Sequence, residues 1–167
     1  MTFLVRSPSS QTMTDADDLA ERLYVLESKD EIRRLMAAYA HARDVTGHSV
    51  AEYFTADAVW ESTGRLADVL GRHEGQSAIV ERFAGPTPPT LHLLANESIS
   101  VDGAEAVGYW TYLQPSVLNG RAFWIAARNH NDFHRHDGVW RIRHMRIQPL
   151  FEAPYEDGWA QAGFFAR

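Results

Sequence analysis

The second half of the chain limits its fold most strongly. Three extended stretches, "AEAVGYWTYLQPSVL", "RAFWIAARNHNDFHRH" and "VWRIRHMRIQPLF", follow one another with only "LNGR" and "HDGVW" as turns. Asn-Gly and Asp-Gly are the dipeptides that two-residue hairpin turns favour, because both central residues take positive φ. Stretches joined in this way pair antiparallel. A third turn, "VDGAEA", brings in a fourth stretch, "TLHLLANESISV". Strands this long cannot lie flat, since each contributes right-handed twist, and strong curvature is expected.

The first half reads as helical. In "DADDLAERLYVLE", Leu19, Leu23 and Leu26 recur at helical spacing. Ser28 with Glu31 reads as a capping box, which predicts a second helix with the stripe Ile32, Leu35, Met36 and Tyr39, running to about Arg43. Ser49 with Glu52 repeats the signal for a short helix "SVAEYF" before "TADAVWE" turns extended. "AVWES" and "LADVLGRHEG" read as two extended segments around Gly64, and "GQSAIVERFAG" as a short helix that the Pro-rich "GPTPPT" ends. Helices followed by consecutive hairpins mean an α+β fold. The expected form is a cone-shaped α+β barrel: a strongly curved mixed or antiparallel sheet wrapped around N-terminal helices, with a pocket inside. Residues 1–14 read as a disordered Ser/Pro/Thr-rich lead-in, and 15–167 as one domain with an aromatic tail from about residue 151.

Composition removes several classes of function. A chain of 167 residues suits one domain, and 45% hydrophobic residues supply its core. A net charge of −6 argues against a nucleic-acid partner, which would require clustered Lys and Arg. No apolar run approaches the ~20 residues of a membrane span. Phe3–Val5 is too short for a secretory core of ~7–15 residues, so a cytoplasmic location is expected. The absence of cysteine excludes disulfides, thiolate catalysis and Cys-ligated zinc. Neither a Gly-rich phosphate loop nor a G-x-S-x-G elbow occurs.

The remaining candidates are scattered. "AYAHARD" puts Tyr39 and Arg43 on one helix face and leaves Asp44 at the negative end of the helix dipole, where it needs a donor or a cation. His92, Leu94, Asn96 and Ser98 form one row of their strand, either its wet side or the wall of a pocket. An imidazole with a carboxylate partner makes a general base, and Asp44 with His92 would form such a dyad. His130, His134 and His136 share parity, but they are strung along a strand rather than converging, so surface histidines describe them better than a metal site. Arg128, Arg143 and Arg146 suit either an anionic ligand or the outer face of a sheet. Trp60, Trp110, Trp124 and Tyr112 suit either a ring-binding cavity or plain core.

The ordered segments "IRRLMAAYAHARD", "AEYFTADAVWE", "TLHLLANESISVDG" and "RNHNDFHRHDGVWRIRHMRI" together resemble the SnoaL-like group of the nuclear transport factor 2-like superfamily, over roughly residues 28–150. The nearest branch is that of scytalone dehydratase, bile-acid 7α-dehydratase and lindane dehydrochlorinase. The resemblance implies a buried dyad of Asp44 and His92, 48 residues apart in sequence, with Tyr39 one turn before the Asp and Arg146 on the last strand. It departs from the branch in two places. Trp124 or Ala126 stands near the position of scytalone dehydratase's second histidine, and Tyr39 replaces a lysine of the dehydrochlorinase. A cofactor-independent, metal-free lyase acting on a hydrophobic aromatic, polyketide or steroid-like molecule is the expectation that the resemblance implies. Asp44, His92 and Tyr39 would be catalytic, with Arg146, Asn96, Trp60, Trp110 and Trp124 binding substrate. A homodimer or homotrimer is implied as well. The alternatives are an isomerase or polyketide cyclase using the same dyad, or a non-catalytic binder of lipids or steroids.

Overall fold

The computed structural model describes residues 14–45, 49–86 and 88–158. The expected lead-in over residues 1–13 and the tail aromatics Trp159, Phe164 and Phe165 lie outside the described residues. Thr14 caps helix α1 (Asp15–Asp44): its hydroxyl accepts from the Asp17 N–H at 3.2 Å, and the Asp17 carboxylate accepts from the Thr14 N–H at 3.1 Å. Asp15, Asp17 and Asp18 add negative charge where the helix dipole is positive.

The expected break at Ser28 does not occur. α1 runs through it as one helix of 30 residues, about 45 Å long at ~1.5 Å per residue. Neither Gly nor Pro lies between Asp15 and Asp44, and a single interior Ser costs only a few tenths of a kcal/mol. Ser28 is fully buried, and its hydroxyl accepts from Arg135 at 3.4 Å instead of capping anything. The stripe Ile32, Met36 and Tyr39 is buried against the sheet as its spacing predicts, whereas Leu19, Leu23 and Leu26 stay exposed.

Beyond α1 come a 3₁₀ turn (Ala51–Tyr53), β1 (Phe54–Ser62), a second 3₁₀ turn (Gly64–Leu66), α2 (Ala67–Leu70), β2 (Arg72–Glu74) and α3 (Gln76–Arg82). The segment "LADVLGRHEG" is thus mostly helical turn, with only Arg72–Glu74 extended. Gly71 explains the difference: at φ 73 it ends α2 and turns the chain into β2. Four strands then follow, β3 (Leu93–Asp102), β4 (Glu105–Leu118), β5 (Arg121–His136) and β6 (Val139–Pro154). They form one sheet in the order β2-β1-β6-β5-β4-β3, in which β1 runs parallel to β6 and every other pair is antiparallel. The hairpins close at Asn119-Gly120 and Asp137-Gly138, all four residues at positive φ.

β-Bulges bend these strands around α1. Asn96 and Glu97 together oppose one stretch of β4 between the pairs Ala95–Thr111 and Ser98–Tyr109. On β6, Arg143 and Leu150 are the extra residues against β5. Each bulge increases local twist and reverses which face the following residues occupy. The inner face of the sheet closes on Ile32, Met36 and Tyr39 and forms the main core with Phe54, Trp60, Phe133, Trp140 and Met145. No helix among the described residues is long and apolar enough to cross a membrane.

Gly108 permits the closest packing in this core. A Cβ there would stand 2.7 Å from Cη2 of Trp110 and 3.0 Å from a ring carbon of Phe133, both buried. Gly108→Ala is expected to lower unfolding free energy by about 1–3 kcal/mol through overpacking, measurable by urea denaturation. An unchanged midpoint would show that the Trp110 indole yields without cost.

Candidate active site

The C-terminal turn of α1 and the start of β3 meet at Asp44. Its two carboxylate oxygens accept from the His92 backbone N–H at 3.0 and 3.1 Å, and one accepts from Nδ1 of the imidazole at 2.6 Å. These charge-assisted bonds contribute about 1.5–3 kcal/mol each, which outweighs the ~0.3–1 kcal/mol penalty of a carboxylate at a helix C-terminus. An ionised carboxylate only accepts, so the proton sits on Nδ1 and the lone pair on Nε2. Nε2 has no hydrogen-bond partner among the described residues. Burial is the main influence on the imidazole and pushes its pKa below the ordinary histidine value. The bond and charge of Asp44 oppose that shift, while the charge of Arg43 reinforces it. The ring is therefore neutral near pH 7.

His92 faces a cavity of about 260 Å³ between α1, α3 and the inner face of the sheet. Tyr39 and Trp60 line it, as do Tyr112, Ile125 and Ile147. Tyr39 packs edge-on against Phe54 at 5.6 Å, and Trp60 edge-on against Phe83 at 5.5 Å. Against the larger effect of burial, Trp60 and Arg43 both act on the Tyr39 hydroxyl and pull its pKa down. An indole N–H and a guanidinium have no acceptor, so neither can take up the phenol's own proton. Burial raises the Tyr39 pKa and keeps the hydroxyl protonated, although Arg43 opposes the shift. Tyr112, tilted against His92 at 5.8 Å, is likewise driven up by burial.

Other expected site residues lie elsewhere, and three of them do so for reasons of sheet geometry. Asn96 sits at the β3 bulge with φ 56 and is exposed, so the row of His92 and Leu94 continues inward through Ile99 rather than through Asn96 and Ser98. Arg146 shares the parity of buried Trp140 and Ile142, but the bulge at Arg143 turns it to the outer face. There it donates to Asp132 at 2.9 Å and contacts His144 at 2.7 Å. Trp124 packs on that outer face with Ala126 and Phe151, tilted against Tyr155. Trp110 does face inward, but it is core against Phe133 and does not line the cavity. His130 stacks on Tyr109 and His134 bonds Glu105, and no group of three or more His, Asp or Glu among the described residues could hold a metal.

Further cavity residues escaped the sequence reading, among them Arg82, Phe83, Gln114 and Asn129. Arg43 was visible only as a neighbour of Tyr39 on the helix face. Asn129 is buried with its Oδ1 unpaired, and Gln114 donates to Thr90 and Ser116 at 2.9 Å each. A signal existed for Asn129, because it shares strand parity with the fully buried Asn131 and Phe133.

Solved structures share this architecture. A nuclear transport factor 2-like protein with a cystatin-like fold from Novosphingobium aromaticivorans is 24% identical with a TM-score of 0.70, over 90% of this chain and 96% of that one. A hexachlorocyclohexane dehydrochlorinase from Novosphingobium barchaimii is 20% identical with a TM-score of 0.67, over 77% and 90%. A scytalone dehydratase-like protein from N. aromaticivorans is 19% identical with a TM-score of 0.68, over 78% and 89%. No curated protein sequence matches the chain. The family model for the SnoaL-like domain matches residues 25–146, a span that begins within α1, contains both Asp44 and His92, and reaches into β6. A chain that carries this match over most of its length, on a helix-filled curved mixed sheet, belongs to the SnoaL-like domain family.

Proposed function

We propose that this protein is a cofactor-independent lyase of the dehydratase type, acting on a small ring-bearing molecule. One observation carries the reading: the 2.6 Å Asp44–His92 bond, which fixes the tautomer and leaves Nε2 as a base beside the cavity. Nε2 takes the proton from a carbon made acidic by a neighbouring carbonyl. The electrons of that C–H bond move onto the carbonyl oxygen, where the free Tyr39 proton donates to the developing enolate. Collapse of the enolate expels a β-hydroxyl, which leaves as water once the His92 imidazolium returns its proton. The products are an unsaturated carbonyl compound and water. Trp60 and Ile147 supply apolar walls for the ring. The dehydrochlorinase and the scytalone dehydratase-like protein of the same fold bear names that denote eliminations, which supports the choice.

An isomerase or cyclase would begin with the same proton transfer, so product analysis decides between them. Incubation with a panel of ring-bearing β-hydroxy ketones is expected to release water and give the conjugated product, followed by its ultraviolet absorbance. Rearranged products without water would sink the lyase reading. His92→Ala is expected to lower kcat by about 10²–10⁴ with the fold retained. A binding protein without chemistry would keep full ligand affinity in that variant and show no turnover in either form.

The acid side of the pH profile offers a second check. A base whose folded pKa lies below the ordinary histidine value gains its active, neutral form as pH rises through that depressed pKa. The kcat/KM of the free enzyme is therefore expected to climb to a plateau with its inflection below the ordinary histidine value. An inflection above the ordinary value would contradict burial as the dominant influence. Tyr39→Phe keeps the ring packing but removes the donor, and is expected to reduce kcat by about 10²–10³ with a much smaller effect on KM.

A further inference from the structure

Phe83 carries two guanidinium groups. Cζ of Arg43, in the last turn of α1, lies 3.8 Å from the ring centroid, and Cζ of Arg82, at the end of α3, lies 5.7 Å from it. Arg82 also lies 5.8 Å from the Trp60 ring. All four side chains line the cavity that His92 faces. Several arginines elsewhere in this acidic chain find carboxylates: Arg72 pairs with Glu61, Arg135 with Glu31 and Arg146 with Asp132. Among the described residues no carboxylate lies within ion-pair distance of Arg43 or Arg82, and Glu152 on β6 is the one acid in the described cavity lining. A chain with 22 acidic against 16 basic residues has placed two adjacent, carboxylate-free cations in its cavity wall.

We propose that Arg43 and Arg82 form an anion subsite that takes a carboxylate carried by the ring-bearing ligand of this cavity. Stacking occupies the flat faces of a guanidinium and leaves its N–H edges free, and those edges match the two oxygens of a carboxylate. Phe83 holds the Arg43 fork in place, so less ordering remains to be done there when the ligand binds, while Arg82 stands exposed at the end of α3 with its fork open to a ligand. Arg43 shares the cavity lining with Tyr39 and His92, and its charge acts on the Tyr39 hydroxyl, which places the subsite beside the group next to His92. A carboxylate held there would fix one end of the ligand while its ring rests among Trp60, Tyr112 and Ile147. The volume of about 260 Å³ is at the small end for ligand cavities and suits a one- or two-ring acid better than a steroid. The subsite gains its role in turnover from the lyase reading, but it is a claim about binding and is tested as one.

The probes are 2-naphthoate, its methyl ester and 2-naphthyl phosphate, titrated calorimetrically into the wild-type protein and into His92→Ala. Naphthoate is expected to bind both proteins at least about tenfold more tightly than the ester, the worth of one charge-assisted pair. Arg43→Gln and Arg82→Gln should each remove about that factor for the acid and leave the ester unchanged, with thermal melts confirming that the variants fold. Equal binding of acid and ester, or of neither, by the wild-type protein overturns the subsite without recourse to any variant. Tighter binding of the phosphate overturns the choice of carboxylate. Because His92→Ala removes the proposed base, acid selectivity that survives there alongside lost turnover supports both readings. Lost selectivity in an active enzyme overturns this one alone.

Discussion

The tie between Asp44 and His92 joins the two halves of the molecule. A 30-residue helix ends at Asp44, and the sheet resumes its long strands immediately after His92. Two of the three contacts across that junction go to the backbone N–H and one to the ring. The same carboxylate therefore positions the β3 strand and orients the imidazole. This arrangement resolves what would otherwise be an electrostatic error, a carboxylate at the negative end of a helix dipole. It also explains how a histidine is held with one nitrogen committed and the other open toward a cavity.

The cavity itself results from curvature. Strands of 14 and 16 residues would project beyond a single helix if they stayed straight. Bulges at Asn96–Glu97, Arg143 and Leu150 bend them back over α1, and Gly108 lets Trp110 lie flat against its own strand inside the bend. The mouth is left to the short elements: the second 3₁₀ turn and α2 supply Leu66 and Leu70, and the end of α3 supplies Arg82 and Phe83. Apolar walls with a few polar groups make such a site suited to a ring with polar substituents. Basic and aromatic side chains sit where α3 meets the cavity, and His92, the proposed base, sits where β3 begins.

Much of this was legible in the chain. The hairpins at Asn119-Gly120 and Asp137-Gly138 were readable because few dipeptides accept two successive positive φ values. The buried stripe Ile32, Met36 and Tyr39 followed from helical periodicity. Residue chemistry offers Asp44 with His92 as one dyad among the scattered candidates, and only the family resemblance singles it out, since nothing local connects residues 48 apart. The break at Ser28 was misread because a capping pattern is a permission to start a helix, not a command to end the previous one. With no Gly or Pro to stop it, α1 continued.

By itself, then, the sequence determined the succession of the long strands, the antiparallel hairpins, the α+β class and the helix face that would be buried. These depend on local backbone preferences and on periodicity, which a chain carries wherever it goes. Only the tertiary structure decided which side of the sheet each polar residue occupies. One bulged residue inverts the parity of everything after it, which sent Asn96 and Arg146 away from the cavity although strand alternation pointed them inward. The tertiary structure likewise brought Arg43 and Arg82 together on the single ring of Phe83. No spacing rule relates the end of a long helix to the end of a short one, because only the bend of the sheet sets the distance between them.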